Sequence, residues 1–148
     1  KLDVKFPSES ELMEIVNITT GKEGAKSQKL FNGDKIKEMR DIAVEVPVAD
    51  AVARYAMDVI IKSHPEIDKS PEAVKKYVRY GSSPRGAQAI IRTAKINALS
   101  KGRFNVAYDD IKDVAYDVLR HRIFLNFEAL SDGVNVEDII SELLKEEA

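Results

Sequence analysis

The stretch Tyr80-Gly81-Ser82-Ser83-Pro84-Arg85-Gly86-Ala87-Gln88 decides how this chain reads. Serine caps helices well and proline is favoured at the first helical position, so Ser83-Pro84 predicts a helix start. That helix runs to about Lys101, where Gly102 supplies the stop. Ala87, Ile90, Ile91, Ala94 and Ala98 line one face of it. Ala89, Ile96 and Leu99 lie roughly opposite, interleaved with Arg85 and Arg92. A helix that is apolar on two sides is either central in its domain or shares one side with another domain or subunit.

Chemistry can rest on the same residues. Gly81 and Gly86 have the G-x4-G spacing of a phosphate-binding loop. Ala87-Gln88 then stand where that loop needs Lys and Ser/Thr, so this is not a Walker A sequence. A helix N-terminus nevertheless offers free N–H groups and about half a unit of positive charge. Arg85 in that first turn is unfavourable unless an anion joins it. Pro84, Arg85 and the small Gly86 leave room and charge for a phosphate, which a guanidinium grips in bidentate fashion. The competing reading pairs Arg85 with an acid of the C-terminal tail or leaves it in water.

Working outward, the rest of the pattern is mostly helical. Ser8 and Glu11 fit a capping box before Leu12, Met13, Ile15, Val16 and Ile18, with Gly21 as the stop. Residues 22–33 read as a loop with a short extended stretch at Leu30-Phe31. Asp34 can cap a second helix with Ile36, Met39, Ile42 and Ala43 on one stripe. Pro47 interrupts, and a third helix spans about Val48 to Ser63, with Val52, Tyr55, Ala56, Val59 and Ile60 inward. Residues 64–83 hold Pro65, Pro71 and Gly81 and are the best candidate hinge. Val106 sits in a short extended link. Asp109 and Asp110 open a helix whose stripe is Ile111, Val114, Ala115, Val118 and Leu119. Residues 120–127 break the period and read as extended. Asn135 caps a last helix with Val136, Ile139, Ile140, Leu143 and Leu144 inward. The expected class is mainly α, a helical bundle with at most short extended segments, in one domain over 1–148.

Composition narrows the chemistry. The 148 residues are 44 % hydrophobic and 32 % charged, which suits a globular domain with a real core. There are no cysteines, so disulfides, thiolate metal sites and cysteine nucleophiles are excluded together. His64 and His121 are the only histidines, and no metal site is expected. His121 lacks the G-x-S-x-G elbow that would place it in a serine hydrolase. Asp109, Asp110, Asp113 and Asp117 share one helix face and read as solvated and dipole-friendly. Asn17-Ile18-Thr19 fits the glycosylation pattern but lies inside a predicted helix. No apolar run is long enough to span a bilayer, and no signal peptide opens the chain. The first residue is Lys1 rather than Met, so the sequence reads as a piece of something longer.

The net charge of −2 hides an uneven distribution. Residues 70–103 carry 8 basic and 1 acidic group, whereas 126–148 carry 1 basic and 7 acidic. Either the acidic tail neutralises the basic segment, or the segment faces an external anion. Arg120-His121-Arg122 follow the fifth helix. They suit its negative C-terminal end, and they could equally form an interface or phosphate-side patch.

Taken together, these runs resemble the lid of MoxR-family AAA+ ATPases. Tyr80 to Gly86 with its Ala/Ile helix, ending in Gly102-Arg103, is similar to the sensor 2 region. Val118-Leu119-Arg120-His121-Arg122-Ile123 resembles the family's "VLRHR" segment, and Gly133 to Ile140 its "GVSVEDII" ending. Phe6-Pro7-Ser8-Glu9 resembles the run after the ATPase core, and Glu45-Val46-Pro47-Val48 a turn between lid helices. The 22–33 and 64–76 stretches are longer and more charged than the family pattern.

The resemblance implies a C-terminal lid separated from its α/β nucleotide-binding core. Arg85 matches the sensor 2 arginine and would be the catalytic residue, contacting the ATP γ-phosphate. Ser83, Pro84 and Gly86 would be the nucleotide-side residues around it. Arg92, Arg120, His121 and Arg122 are interface candidates. ATP and Mg²⁺ are implied for the full-length protein, the ion held by the absent core. Without Walker motifs this chain alone is not expected to hydrolyse ATP. Expected partners are its own core, neighbouring subunits of a homo-oligomeric ring and a von Willebrand factor A domain protein. The expected role is that of a chaperone-like remodeller in the cytoplasm. The alternative is a helical nucleic-acid-binding domain using the basic 70–103 segment, with helices four and five succeeding one another like a helix-turn-helix.

Overall fold

The computed structural model describes residues 1–21 and 27–145. The central element is the helix that Ser83-Pro84 announces. It spans Pro84–Ser100 and buries Gly86, Ala87, Ile90, Ala94 and Ala98. In chain order the helices are α1 (Glu9–Thr20), α2 (Gly33–Glu45), α3 (Asp50–Lys62), α4 (Glu72–Tyr77), α5 (Pro84–Ser100), α6 (Tyr108–Leu119), α7 (Phe127–Asp132) and α8 (Val136–Leu143). Two short strands, β1 (Val78–Tyr80) and β2 (Phe124–Leu125), pair antiparallel with Val78 opposite Leu125. The chain is mainly α, as its periodicity predicts.

The core forms where α5 meets α6 and α3. Ile90, Ala94 and Ala98 of α5 pack with Ile111, Ala115 and Leu119 of α6, and with Ala56 and Val59 of α3. Ile139, Ile140 and Leu143 close it from α8. The alanines of α5 let neighbouring helices approach closely, and the fully buried Ile90 fills the middle. Truncating such a residue to alanine costs about 2–5 kcal/mol, because the cavity only partly collapses. Lys101 and Gly102 end α5. Gly102 takes φ +73°, a conformation that glycine adopts without strain, and the N–H of Arg103 then reaches the Ala98 carbonyl at 2.9 Å. Val106 bridges to Val48 in parallel, tying the α5–α6 link to the start of α3.

Several local expectations change. Asn32, not Asp34, caps α2, its side chain accepting from the Lys35 N–H at 2.9 Å. Leu30-Phe31 forms no strand, and residues 22–26 lie outside the described part. On α1, Leu12, Met13, Ile15, Val16 and Ile18 all stay exposed, as do Ile36, Met39 and Ile42 on α2. Ala43 is the buried residue of α2. The segment 64–83 is folded into the domain rather than irregular. It holds α4 and β1, buries Ser70, Val74, Val78 and Ser82, and is stitched by side-chain bonds such as Ser70 Oγ to the His64 carbonyl at 2.6 Å. Residues 120–127 are extended only at Phe124-Leu125. Asn126 then caps the unexpected α7 by accepting from Ala129 N–H at 3.0 Å. Proline and charge mark 64–83 as open. What closes it is hydrogen bonding by small polar residues, which apolar periodicity does not register.

The acidic face of α6 also differs from expectation. Asp110 is fully buried. Its carboxylate accepts from both terminal nitrogens of Arg103, from Asn97 Nδ2 at 3.1 Å and from the Ala107 N–H at 2.8 Å. A buried carboxylate is tolerable only when so fully bonded. Asp113 is engaged by Lys101 and Asn97, and Asp117 by Arg120. No group of His, Asp and Glu among the described residues could hold a metal ion.

Candidate functional site

The α5 N-terminus is built from a turn that is held from behind. Ser82 is fully buried. Its N–H donates to Ser63 Oγ at 2.9 Å, and its carbonyl faces His64 Nε2 at 3.0 Å. Gly81 runs against the same two residues. A Cβ there would stand 2.6 Å from the Ser63 carbonyl oxygen and 2.8 Å from the His64 ring. Gly86 is similarly confined, its missing Cβ 2.0 Å from Ser82 Oγ and 3.4 Å from Arg122 Cδ. The two glycines of the G-x4-G spacing therefore serve close packing beneath the turn.

Beyond the clamp the chain turns outward. Ser83 is extended (φ −70°, ψ 169°) and is the N-cap by position, yet its side chain makes no cap hydrogen bond. Pro84 occupies the first turn and has no N–H to satisfy. Arg85 follows. It is exposed and forms no hydrogen bond or ion pair with any described residue. An exposed cation thus sits at the positive end of a 17-residue helix. Such an end attracts anions, and a guanidinium beside it adds two parallel donors.

The segment Arg120-His121-Arg122 comes back beside this turn. Arg122 is half-buried; one terminal nitrogen donates to the Val118 carbonyl, and its stem lies next to Gly86. That bond satisfies a free carbonyl at the end of α6. The same nitrogen faces His121 Nε2. A guanidinium only donates, so Nε2 is the acceptor and the imidazole is neutral. Burial, reinforced by the Arg122 charge, accordingly holds the His121 pKa below its ordinary value. Arg120 turns the other way. It binds Glu137 of α8 and Asp117, and these bonds raise its pKa. Arg92 lies along α5 and is exposed. The structure thus brings Ser83, Pro84, Arg85, Gly86 and Arg122 to one place. Arg120 lies apart in an internal ion pair, and Arg92 lies further along the helix.

Ser63, His64 and Ser82 are not legible as site residues. Their only trace in the sequence is Gly81, which signals a close backbone approach without naming what approaches.

No helix among the described residues is long and apolar enough to cross a membrane.

Known proteins resemble this chain along most of its length. Residues 71–143 match the AAA lid domain family, a span that begins just before α4 and ends with α8. Chaperone MoxR1 of Mycobacterium tuberculosis is 32 % identical over 145 residues, which cover 98 % of this chain and 38 % of that protein. Protein MoxR of Methylorubrum extorquens is 30 % identical over 80 residues, covering 53 % of this chain and 23 % of that one. A crystal structure of a Cytophaga hutchinsonii protein described as a candidate ATPase superposes with a TM-score of 0.84 at 27 % identity, covering 98 % of this chain and 44 % of that one. The chain spans less than half the length of these relatives. Residues 71–143 carry the AAA lid domain, and nearly the whole chain is homologous to MoxR proteins.

Proposed function

We propose that this chain is the lid portion of a MoxR-type AAA+ ATPase and that Arg85 is its sensor 2 arginine. The observation that carries the reading is Arg85 itself. It is an exposed cation in the first turn of α5, with no partner among the described residues and a rigid turn behind it. ATP bound to a core outside this chain would present its γ-phosphate to that turn. Arg85 would bind the terminal phosphate oxygens and stabilise the charge they carry as the bond to the β-phosphate breaks. The Mg²⁺ that accompanies ATP falls to that core, as the resemblance implies, while Asp110, Asp113 and Glu137 here are engaged by Arg103, Lys101 and Arg120.

Hydrolysis would remove the charge that Arg85 holds and free the lid to move. In a homo-oligomeric ring that motion would pass to neighbouring subunits and on to a client. The α1 and α2 apolar faces are available for such a contact, as is Arg92. A chaperone-like role agrees with the similarity to chaperone MoxR1, and a cytoplasmic location and a von Willebrand factor A domain partner belong to the same proposal.

The charge arrangement favours this over nucleic-acid binding. Lys75 pairs with Glu72, Lys76 with Asp132 and Glu128, Lys101 with Asp113, and Arg103 with Asp110. Lys95 bonds to the Val44 carbonyl at 2.7 Å. Four of the segment's eight cations are thus neutralised by acids within the fold, which leaves single cations where a groove binder needs a continuous row.

Steady-state ATP turnover by the full-length protein tests the proposal. Arg85→Ala should cut turnover by about 100-fold or more with the lid still folded, as loss of one transition-state donor does elsewhere. Native turnover in that variant would refute it.

A further inference from the structure

The clamp behind Arg85 has a specific build. Ser63 is the C-cap of α3, and His64 follows it. The Ser63 hydroxyl donates to the Ile60 carbonyl at 2.6 Å and accepts from the Ser82 N–H at 2.9 Å. Its proton and one lone pair are both committed, so its orientation is fixed. His64 Nε2 lies 3.0 Å from the Ser82 carbonyl oxygen. A carbonyl only accepts, so Nε2 carries a proton and donates. The His64 backbone carbonyl is in turn held by Ser70 Oγ at 2.6 Å, and its ring Nδ1 lies 3.3 Å from the Glu66 carboxylate.

Both backbone groups of Ser82 are therefore held by side chains of α3's C-terminal end. Its own side chain rests against Gly86. Between Ser82 and Arg85 the chain has little freedom. Pro84 fixes its φ, and the Gly86 N–H closes onto the Ser83 carbonyl at 2.7 Å. A shift at Ser82 is transmitted to the first turn of α5. We propose that Ser63 and His64 are positioning residues which, by gripping the backbone of Ser82, set where Arg85 points.

This inference rests on Arg85 reading the γ-phosphate. Neither residue touches nucleotide; they act through the turn. Misplacing a charged donor by about 1 Å costs up to about 100-fold where geometry matters. A purely structural role would weaken ATP and ADP binding alike, or neither. A positioning role weakens only the nucleotide that has a γ-phosphate.

The experiment measures ATP and ADP affinity in the full-length protein for Arg85→Ala, His64→Ala, His64→Gln, Ser63→Ala and the double variant His64→Ala/Arg85→Ala. His64→Ala and Ser63→Ala should each lower the ATP:ADP preference by about 3- to 10-fold with ADP affinity unchanged. His64→Gln, whose amide N–H can reach the same carbonyl, should restore most of it. In the Arg85→Ala background, His64→Ala should have no further effect. A native preference in folded His64→Ala, or in Ser63→Ala should His64→Ala not fold, overturns the inference while Arg85 keeps its role. An unchanged preference in Arg85→Ala overturns the proposed function and this inference with it.

Discussion

Ser82 and Gly86 compete for one space: the Ser82 Oγ stands 2.0 Å from where a Cβ on residue 86 would lie. Ser82 Oγ is buried and has no hydrogen-bond partner among the described residues. The hydroxyl thus costs desolvation and also forbids alanine at 86. Gly86→Ala alone should destabilise the chain by about 1–3 kcal/mol through overpacking, despite alanine's better helix propensity. Ser82→Ala removes the obstruction and leaves Ser82 Cβ at 3.3 Å and the flexible Arg122 Cδ at 3.4 Å from the new methyl. The double variant Ser82→Ala/Gly86→Ala should be at least as stable as the native chain. Denaturant titration of the four proteins as a double-mutant cycle measures this; additive effects would contradict the shared-space account.

Arg103 and Asp110 predict a specific acid sensitivity. The Arg103 hydrogen bonds, aided by the Ala107 N–H, hold Asp110 below the usual carboxylate range. In the unfolded chain the same group titrates near its ordinary value of about 4. The folded state therefore binds fewer protons, and its stability rises with pH across this window. The contribution is complete at neutral pH, declines as pH falls through the ordinary carboxylate range, and is gone below the lowered native value. Asp110→Asn should cost about 2–4 kcal/mol at pH 7 and flatten the loss of stability towards pH 3. Urea midpoints at pH 7 and pH 3 check both expectations.

Asn126 joins two elements that periodicity does not reveal. Its side-chain oxygen caps α7, its Nδ2 donates to the Lys76 carbonyl at 2.7 Å, and its N–H donates to the Tyr77 carbonyl at 2.9 Å. Asn126→Ala should cost about 1–2 kcal/mol, with the loss centred on α7 and the β1–β2 pair. Asn126→Asp keeps the cap and loses the Nδ2 donor, so it should fall between. Hydrogen exchange at the amides of α7 and β2 resolves the three proteins.

What can be read from sequence is what periodicity and caps encode. The stop at Gly102, the box at Ser8 and Glu11, the cap at Asn135 and the stripes of α3, α5 and α6 all follow from local chemistry. Arg85 is legible for the same reason, since a cation just after Ser-Pro is conspicuous at a helix start. Elements of six residues or fewer are not, because α4 and α7 are shorter than two helical turns and show no period. Asp110 reads as solvated, because nothing local reveals that Arg103 folds back over it. The stripes of α1 and α2 are correctly periodic, yet Leu12, Met13 and Ile36 remain bare. Amphipathicity states that a face seeks a partner, not that the partner lies in the same chain. His64 is invisible for the opposite reason. Its role comes from a contact 18 residues away, with a backbone carbonyl that every residue type carries.

The central claim is that Arg85 reads the γ-phosphate, and the ratio of ATP to ADP affinity measures that most directly. A charge-assisted contact to one phosphate contributes about 1.5–3 kcal/mol. Arg85→Ala in the full-length protein should therefore reduce the preference for ATP over ADP by about 10- to 100-fold, with ADP affinity unchanged. An ATP:ADP ratio equal to that of the native protein would contradict the account.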